Sequence, residues 1–227
     1  MAWPSLPERL PTGLALHGWT LDLDADHAAD WSTLACGERE RAAQFRREAD
    51  RRRYVQTRAG LRRLLARCLD CRPEAVPIVA GLHGKPQLAG AVRACFNVAH
   101  AGRLALVAIA DPADVVEVGV DVEACVPELD VAGMAALALT DDEQREFEGL
   151  ADRQAAFYAR WVEKEAVLKA IGVGVSVHLR TVGIHPDPSG GLQVRSARAA
   201  WAGFKVMAIG APAGYAAAVA WRSKDAI

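Results

Sequence analysis

The chain has 227 residues, of which 52% are hydrophobic and 24% charged. These proportions belong to an ordinary globular protein and exclude disordered, collagen-like and coiled-coil classes. The longest apolar run, Leu104 to Ala110, is far short of the roughly 20 residues that cross a bilayer.

The opening residues Met1 to Gly13 lack the basic start and apolar block of a secretory signal, so a cytoplasmic protein with no membrane partner is expected. The five cysteines suit a reducing compartment. Cys68 and Cys71 form a C-x-x-C, but no second pair stands at zinc-site spacing, and Cys68 falls on an apolar helical face where burial is expected. The net charge of −1 conceals a segregation. From Arg39 to Arg72, twelve arginines stand against four acids, a local charge of +8; from Asp111 to Asp152, thirteen acids stand against one base, a local −12. The basic stretch calls for anions and the acidic one for cations or a basic partner.

In chain order, alternation predicts a strand over 14–23, and helical periodicity predicts a long helix over about 38–69, with room for a break. A strand at 76–80 precedes a loop marked by Gly81, Gly84 and Pro86, and a buried strand spans 103–110. After the linker candidate Asp111 to Asp114 come a strand over 115–123, helical sequence over 141–171, and strands at 181–185, 192–194, 204–209 and 215–221. The stretch 186–191 is turn chemistry. The expected fold class is α/β (α+β), with two units of similar content, 1–112 and 113–227. No residue-level repeat relates them.

Val115 to Glu123 alternates strictly, so Asp121 and Glu123 project from one face. Two close carboxylates repel unless a cation lies between them, and hard oxygen donors suit Mg²⁺. A solvated outer face is the other reading. In the helix around Trp161, Glu165 lies about 40° from the Trp161 direction and Lys169 about 80°. Glu165 therefore faces the packing side, where Lys169 makes a favourable i, i+4 pair. An ordinary surface ion pair fits Glu163 better. Arg58 sits about 60° from Leu61, at the edge of an apolar stripe, and calls for an acid or a bound anion. Gly84-Lys85-Pro86 makes a tight turn carrying a cation, and His100 stands at the entrance of the buried strand, able to donate to phosphate.

In this order the segments G-K-P (84–86), F-N-V-A-H (96–100), V-G-V-D-V-E (118–123) and W-V-E-K-E-A-V-L-K-A-I-G-V-G (161–174) resemble the 4′-phosphopantetheinyl transferases of the kind that activates surfactin synthetase. The resemblance covers about residues 39–174. It implies a pseudo-dimer of two α/β halves that binds coenzyme A in the cleft between them, acts on acyl or peptidyl carrier proteins, and is monomeric. It also implies Mg²⁺ held by Asp121, Glu123 and Glu165. Coenzyme A would meet Lys85 and Pro86 at its adenine and phosphate, His100 and the Ala99 position at phosphate, Asp121 and Lys169 at the pyrophosphate, and Arg58 with Arg41 or Arg39 at the 3′-phosphate. The family commonly has serine where this chain has Ala99, so one hydroxyl contact is lost.

The implied reaction is attack of a carrier serine on the β-phosphorus of coenzyme A, releasing adenosine 3′,5′-bisphosphate, with Glu165 as base and Lys169 stabilising the phosphate. The arginine face is the candidate for carrier docking. The alternative is an arginine-rich nucleic-acid-binding module or metal-dependent nuclease using the D-x-E pair, which leaves 161–174 without a purpose.

Overall fold

The computed structural model describes residue 3 and residues 10–81, 84–90, 94–174, 178–187 and 191–226. The middle of the turn expected at 186–191 lies outside them. The first sheet holds β1 (Leu14–Thr20), β5 (Leu104–Ala110) and β4 (Cys95–Ala101) in the order β1-β5-β4, all antiparallel. Between β1 and β4 the chain forms helices α1 (Ala28–Thr33), α2 (Cys36–Ala43) and α3 (Glu48–Leu69) and a small hairpin of β2 (Ile78–Ala80) and β3 (Pro86–Leu88). The second sheet runs β6-β10-β9-β8-β7, built from β6 (Val115–Ala124), β7 (Gly183–Pro186), β8 (Leu192–Arg195), β9 (Lys205–Ile209) and β10 (Tyr215–Ser223). Its strands are flanked by α4 (Val131–Ala138), α5 (Asp141–Glu148) and α6 (Arg153–Ile171).

The fold is thus mixed α/β, with three strands in one sheet and five in the other. The break allowed for in the long helix falls at residues 44–47, where Phe45 leaves the helical path and stacks at 5.3 Å on Tyr54 of α3. Other sequence expectations need correction. The second helical stretch divides at Gly149, and Asp152 restarts it as the N-cap of α6, accepting from the Ala155 N–H at 2.9 Å. Phe96 to His100 is not a lead-in to the buried strand but part of β4, paired along its length with β5.

Strand alternation sorts the apolar side chains into layers. On β5, Val107 and Ile109 join Leu61 and Leu65 of α3, while Leu104, Leu106 and Ala108 join Val118, Val120 and Val122 of β6 between the two sheets. The opposite face of β6 meets α6. Gly119 permits that approach, because a Cβ there would lie 2.0 Å from the Ala166 carbonyl oxygen. The long helix α3 covers one sheet and α6 the other, so each sheet buries a face against a helix of about twenty residues.

Cys68, expected to be buried, is exposed in the last turn of α3, beyond the helix's last buried residues Leu65 and Ala66. The arginine run is largely answered from within the chain. Arg51 pairs with Asp26 at 2.8 Å, Arg63 with Asp30 at 2.7 Å, Arg53 with Asp50 at 2.6 Å and Arg62 with Glu38 at 2.5 Å. Arg62 is only 1% exposed and also donates to the carbonyls of Pro73 and Val76.

Candidate active site

The β6 face against α6 carries the chemistry. Asp121, Glu123 and Glu165 each offer a carboxylate oxygen, and these atoms lie within 4.8 Å of one another. Among the described residues this is the one group of three potential metal-ligating side chains. Asp121 is 1% exposed, which rejects the solvated-face reading of the D-x-E pair. Its Oδ1 accepts from the Lys169 ammonium at 2.5 Å, and its buried Oδ2 has no hydrogen-bond partner. Lys169 also approaches Glu165 at 3.9 Å. The expected i, i+4 pair is therefore the weaker of the two contacts; the nearer carboxylate comes from β6.

Burial, followed by the repulsion of Asp121, pushes the Glu165 carboxyl up to about 8 and that of Glu123 up to about 7. Burial also raises Asp121. For Lys169, burial opposes the ammonium, but Asp121, Glu165 and Glu123 together hold it above its ordinary value. One ammonium serves three carboxylates. An unpartnered buried oxygen, a three-carboxylate donor set and excess negative charge fit a hard divalent cation such as Mg²⁺.

Lys169 connects this cluster to a cavity of about 810 Å³, which it lines together with Arg41, Arg58, Pro86, Ala99 and His100. Phe45 and Tyr54 add aromatic lining, and the β2–β3 hairpin supplies Ile78, Val79 and Ala80. Arg58 meets Glu38 at 3.4 Å and lies over the Tyr54 ring, while its Nη1 is buried without a partner. It thus has the acid, and retains a donor for an anion. Burial, then Arg53, keeps the His100 imidazole below its ordinary pKa.

Besides the three carboxylates, which the cavity meets only through Lys169, two cationic sequence candidates fall outside its lining. Arg39 donates to the Leu34 carbonyl at 3.0 Å, so Arg41 is the member of that pair at the cavity. Lys85 turns its ammonium away to the end of α6, at 2.5 Å from the Lys169 carbonyl oxygen. Glu163, expected at the surface, is buried beside Arg160 at 3.1 Å and pushed up to about 7 by burial. Its helical face is covered by α5, whose Glu143 also takes the ammonium of Lys164, which is 0% exposed.

Sequence reasoning gave no role to two side chains that hold the cluster. Trp161, read as core, hydrogen-bonds Glu123. Asn97 is buried on β4 and accepts from the Val120 N–H at 3.0 Å, tying the first sheet to β6 one residue before Asp121. A polar residue inside an otherwise apolar F-N-V was the available signal for Asn97. For Trp161 the indole N–H, which needs a partner when buried, was the only one.

The family model described as 4′-phosphopantetheinyl transferase superfamily matches residues 117–220, and that described as 4′-phosphopantetheinyl transferase, N-terminal, matches residues 19–112. Over 153 residues the chain is 35% identical to slr0495 of Synechocystis, an alignment covering 66% of this chain and 61% of that protein. It is 31% identical over 172 residues to the 4′-phosphopantetheinyl transferase HetI of Nostoc, covering 71% of this chain and 70% of HetI. The chain thus spans less than two thirds of the length of slr0495. Among solved structures, the holo-[acyl-carrier-protein] synthase of Thermotoga maritima aligns with 23% identity and a TM-score of 0.40, over 48% of this chain and 65% of that one. With both family models matched in chain order and 70% of HetI covered at 31% identity, this chain belongs to the 4′-phosphopantetheinyl transferase family.

Proposed function

We propose that the chain transfers 4′-phosphopantetheine from coenzyme A to a serine hydroxyl of an apo acyl or peptidyl carrier protein, as a monomeric enzyme of the surfactin-synthetase-activating type. The observation that carries this reading is Lys169, which touches the carboxylate cluster with its ammonium and also lines the cationic cavity. A diphosphate reaching from the cavity to the cluster would pass this ammonium.

Asp121, Glu123 and Glu165 would hold Mg²⁺, which supplies charge neutralisation at the diphosphate oxygens. Arg58 and Arg41 would receive the 3′-phosphate, Arg58 having an unpartnered Nη1, and His100 would contact phosphate. Pro86 and the hairpin wall would cover the adenine. Lys169 would stabilise charge on the transferring phosphate, and Glu165, once its carboxyl is ionised, would accept the serine proton. The serine oxygen forms the new bond to the β-phosphorus, the P–O bond to the α-phosphate breaks, and adenosine 3′,5′-bisphosphate leaves.

Division of the chain near residue 112 is part of the same proposal: Arg41, Arg58, Pro86 and His100 come from residues 1–112, and the carboxylates with Lys169 from 113–227. Carrier docking is assigned to the exposed Arg46 and Arg47 beside the cavity-lining Phe45, since carrier proteins are usually acidic. The test is incubation with coenzyme A, Mg²⁺ and an apo carrier protein, read by intact mass. The carrier gains one phosphopantetheine; a carrier that stays apo with every acyl and peptidyl carrier offered overturns the assignment.

A further inference from the structure

Among the described residues, the backbone following helix α6 does not complete its end. The Leu168 carbonyl accepts from the N–H groups of Gly172 and Val173, and Gly172 turns the chain with φ +84°. The next two carbonyls, of Lys169 and Ala170, accept instead from Lys85, at 2.5 Å and 3.2 Å. Lys85 comes from the turn between β2 and β3, 84 residues earlier in the chain. Gly81 N–H donates to the Lys85 carbonyl at 2.8 Å, Gly84 N–H to the Gly81 carbonyl at 3.1 Å, and Gly84 holds φ +75°. The residues on either side of Lys85, Gly84 and Pro86, line the cavity, whereas the Lys85 side chain leaves it.

An ammonium on two orphan carbonyls at the negative end of a helix is a favourable arrangement in itself. Here it also joins two parts of the site. One is the hairpin wall of the cavity; the other is the backbone of Lys169, whose side chain reaches Asp121. Among the described residues Lys85 has no ion pair to draw it elsewhere, and burial lowers its pKa, with Cys95 and Glu117 opposing.

We infer that Lys85 is a positioning residue, not a phosphate ligand: it latches the cavity's hairpin wall to the end of α6 and so fixes where the Lys169 ammonium stands. The inference rests on the transferase reading only for its kinetic consequence. With the latch removed, the wall and the helix end move independently, and Lys169 loses its register with the reacting phosphate. Substrate affinity, to which Arg41, Arg58 and His100 contribute from elements the latch does not hold, falls less than turnover.

The experiment compares Lys85→Met, Lys85→Arg and wild type by steady-state kinetics and by hydrogen exchange without ligands. Lys85→Met is expected to lower kcat at least tenfold with a smaller rise in KM for coenzyme A, and Lys85→Arg, which can still donate to both carbonyls, to recover most of the loss. Amides of residues 78–88 and 168–173 are expected to exchange at least tenfold faster in Lys85→Met. A tenfold rise in KM with unchanged kcat and unchanged exchange overturns the inference and makes Lys85 a substrate ligand. If Lys85→Met does not fold, Lys85→Gln, with a single shorter donor, replaces it under the same criteria. If wild type transfers nothing, the activity reading fails, while the exchange comparison still decides the latch.

Discussion

Gly119→Ala tests whether strand and helix must approach this closely to build the carboxylate cluster. The added Cβ would stand 2.0 Å from the Ala166 carbonyl oxygen and 2.4 Å from the Ala170 nitrogen, both backbone atoms of α6. Ordinary contact begins at 3.4 Å, so moving from 2.0 to 3.4 Å requires about 1.4 Å of separation between β6 and α6. Overpacking of this kind costs about 1–3 kcal/mol. For a chain of this length each kcal/mol lowers Tm by about 2–4 °C, giving an expected fall of about 2–12 °C. The same displacement carries Glu165 away from Asp121 and Glu123, whose ligand atoms now lie within 4.8 Å of its own. A misplacement of about 1 Å is enough to reduce turnover about 100-fold. The assay is calorimetry with and without Mg²⁺, together with carrier modification kinetics. Gly149→Ala is the control, since its Cβ would meet only the Glu146 carbonyl oxygen, at 3.7 Å. A Gly119→Ala protein that melts with the wild type and keeps its Mg²⁺-induced rise in Tm would refute the reasoning.

Glu165→Gln and Lys169→Ala should each lower kcat by 100-fold or more while remaining folded by circular dichroism. Glu163→Gln, which replaces a buried carboxyl already pushed up to about 7, should keep kcat within threefold; equal activity in all three contradicts the assigned roles. Arg62→Met removes the deepest arginine from Glu38 and from the carbonyls of Pro73 and Val76, and should cost about 3–5 kcal/mol in urea unfolding. Adding Glu38→Gln should recover part of that loss, and no recovery would count against a charge-based cost. His17 has its pKa lowered by burial and then by Arg67, so the unfolded chain binds its proton first as pH falls. Stability from this group is complete above pH about 6.5 and declines below it. His17→Gln should therefore reduce the drop in Tm between pH 7 and pH 5, and an identical drop in both proteins excludes that account. Ala99→Ser, which places a hydroxyl on the cavity wall, should lower KM for coenzyme A; an unchanged or higher value removes the hydroxyl from the explanation.

The local parts of the site could be read from the chain alone. Alternation along β6 places Asp121 and Glu123 on one face, and helical periodicity puts Glu165 and Lys169 on the packing side of α6. The stripe on α3 sets Arg58 at its edge. Most element types along the chain follow from the same periodicities, while the ends of helices depend on single residues such as Asp152 and on Phe45 finding Tyr54.

Periodicity states which way a side chain faces, not what lies opposite it, and the corrections at Glu163, Lys85 and the arginine run have that origin. Glu163 and Glu165 sit on one helix two residues apart; both are buried, but α5 covers one and β6 meets the other. Lys85 had the character of an anion ligand, and its neighbours do line the cavity, yet the nearest unfilled acceptors belonged to a helix end 84 residues away. The arginine run suggested a foreign anion until Asp26, Asp30 and Glu38 came alongside it. The sequence by itself determined the donor types and their faces, because those follow from backbone geometry over a few residues. Only the tertiary structure decided which donors share a site, because that depends on how closely two distant elements can approach, and at Gly119 the distance is set by a missing methyl group.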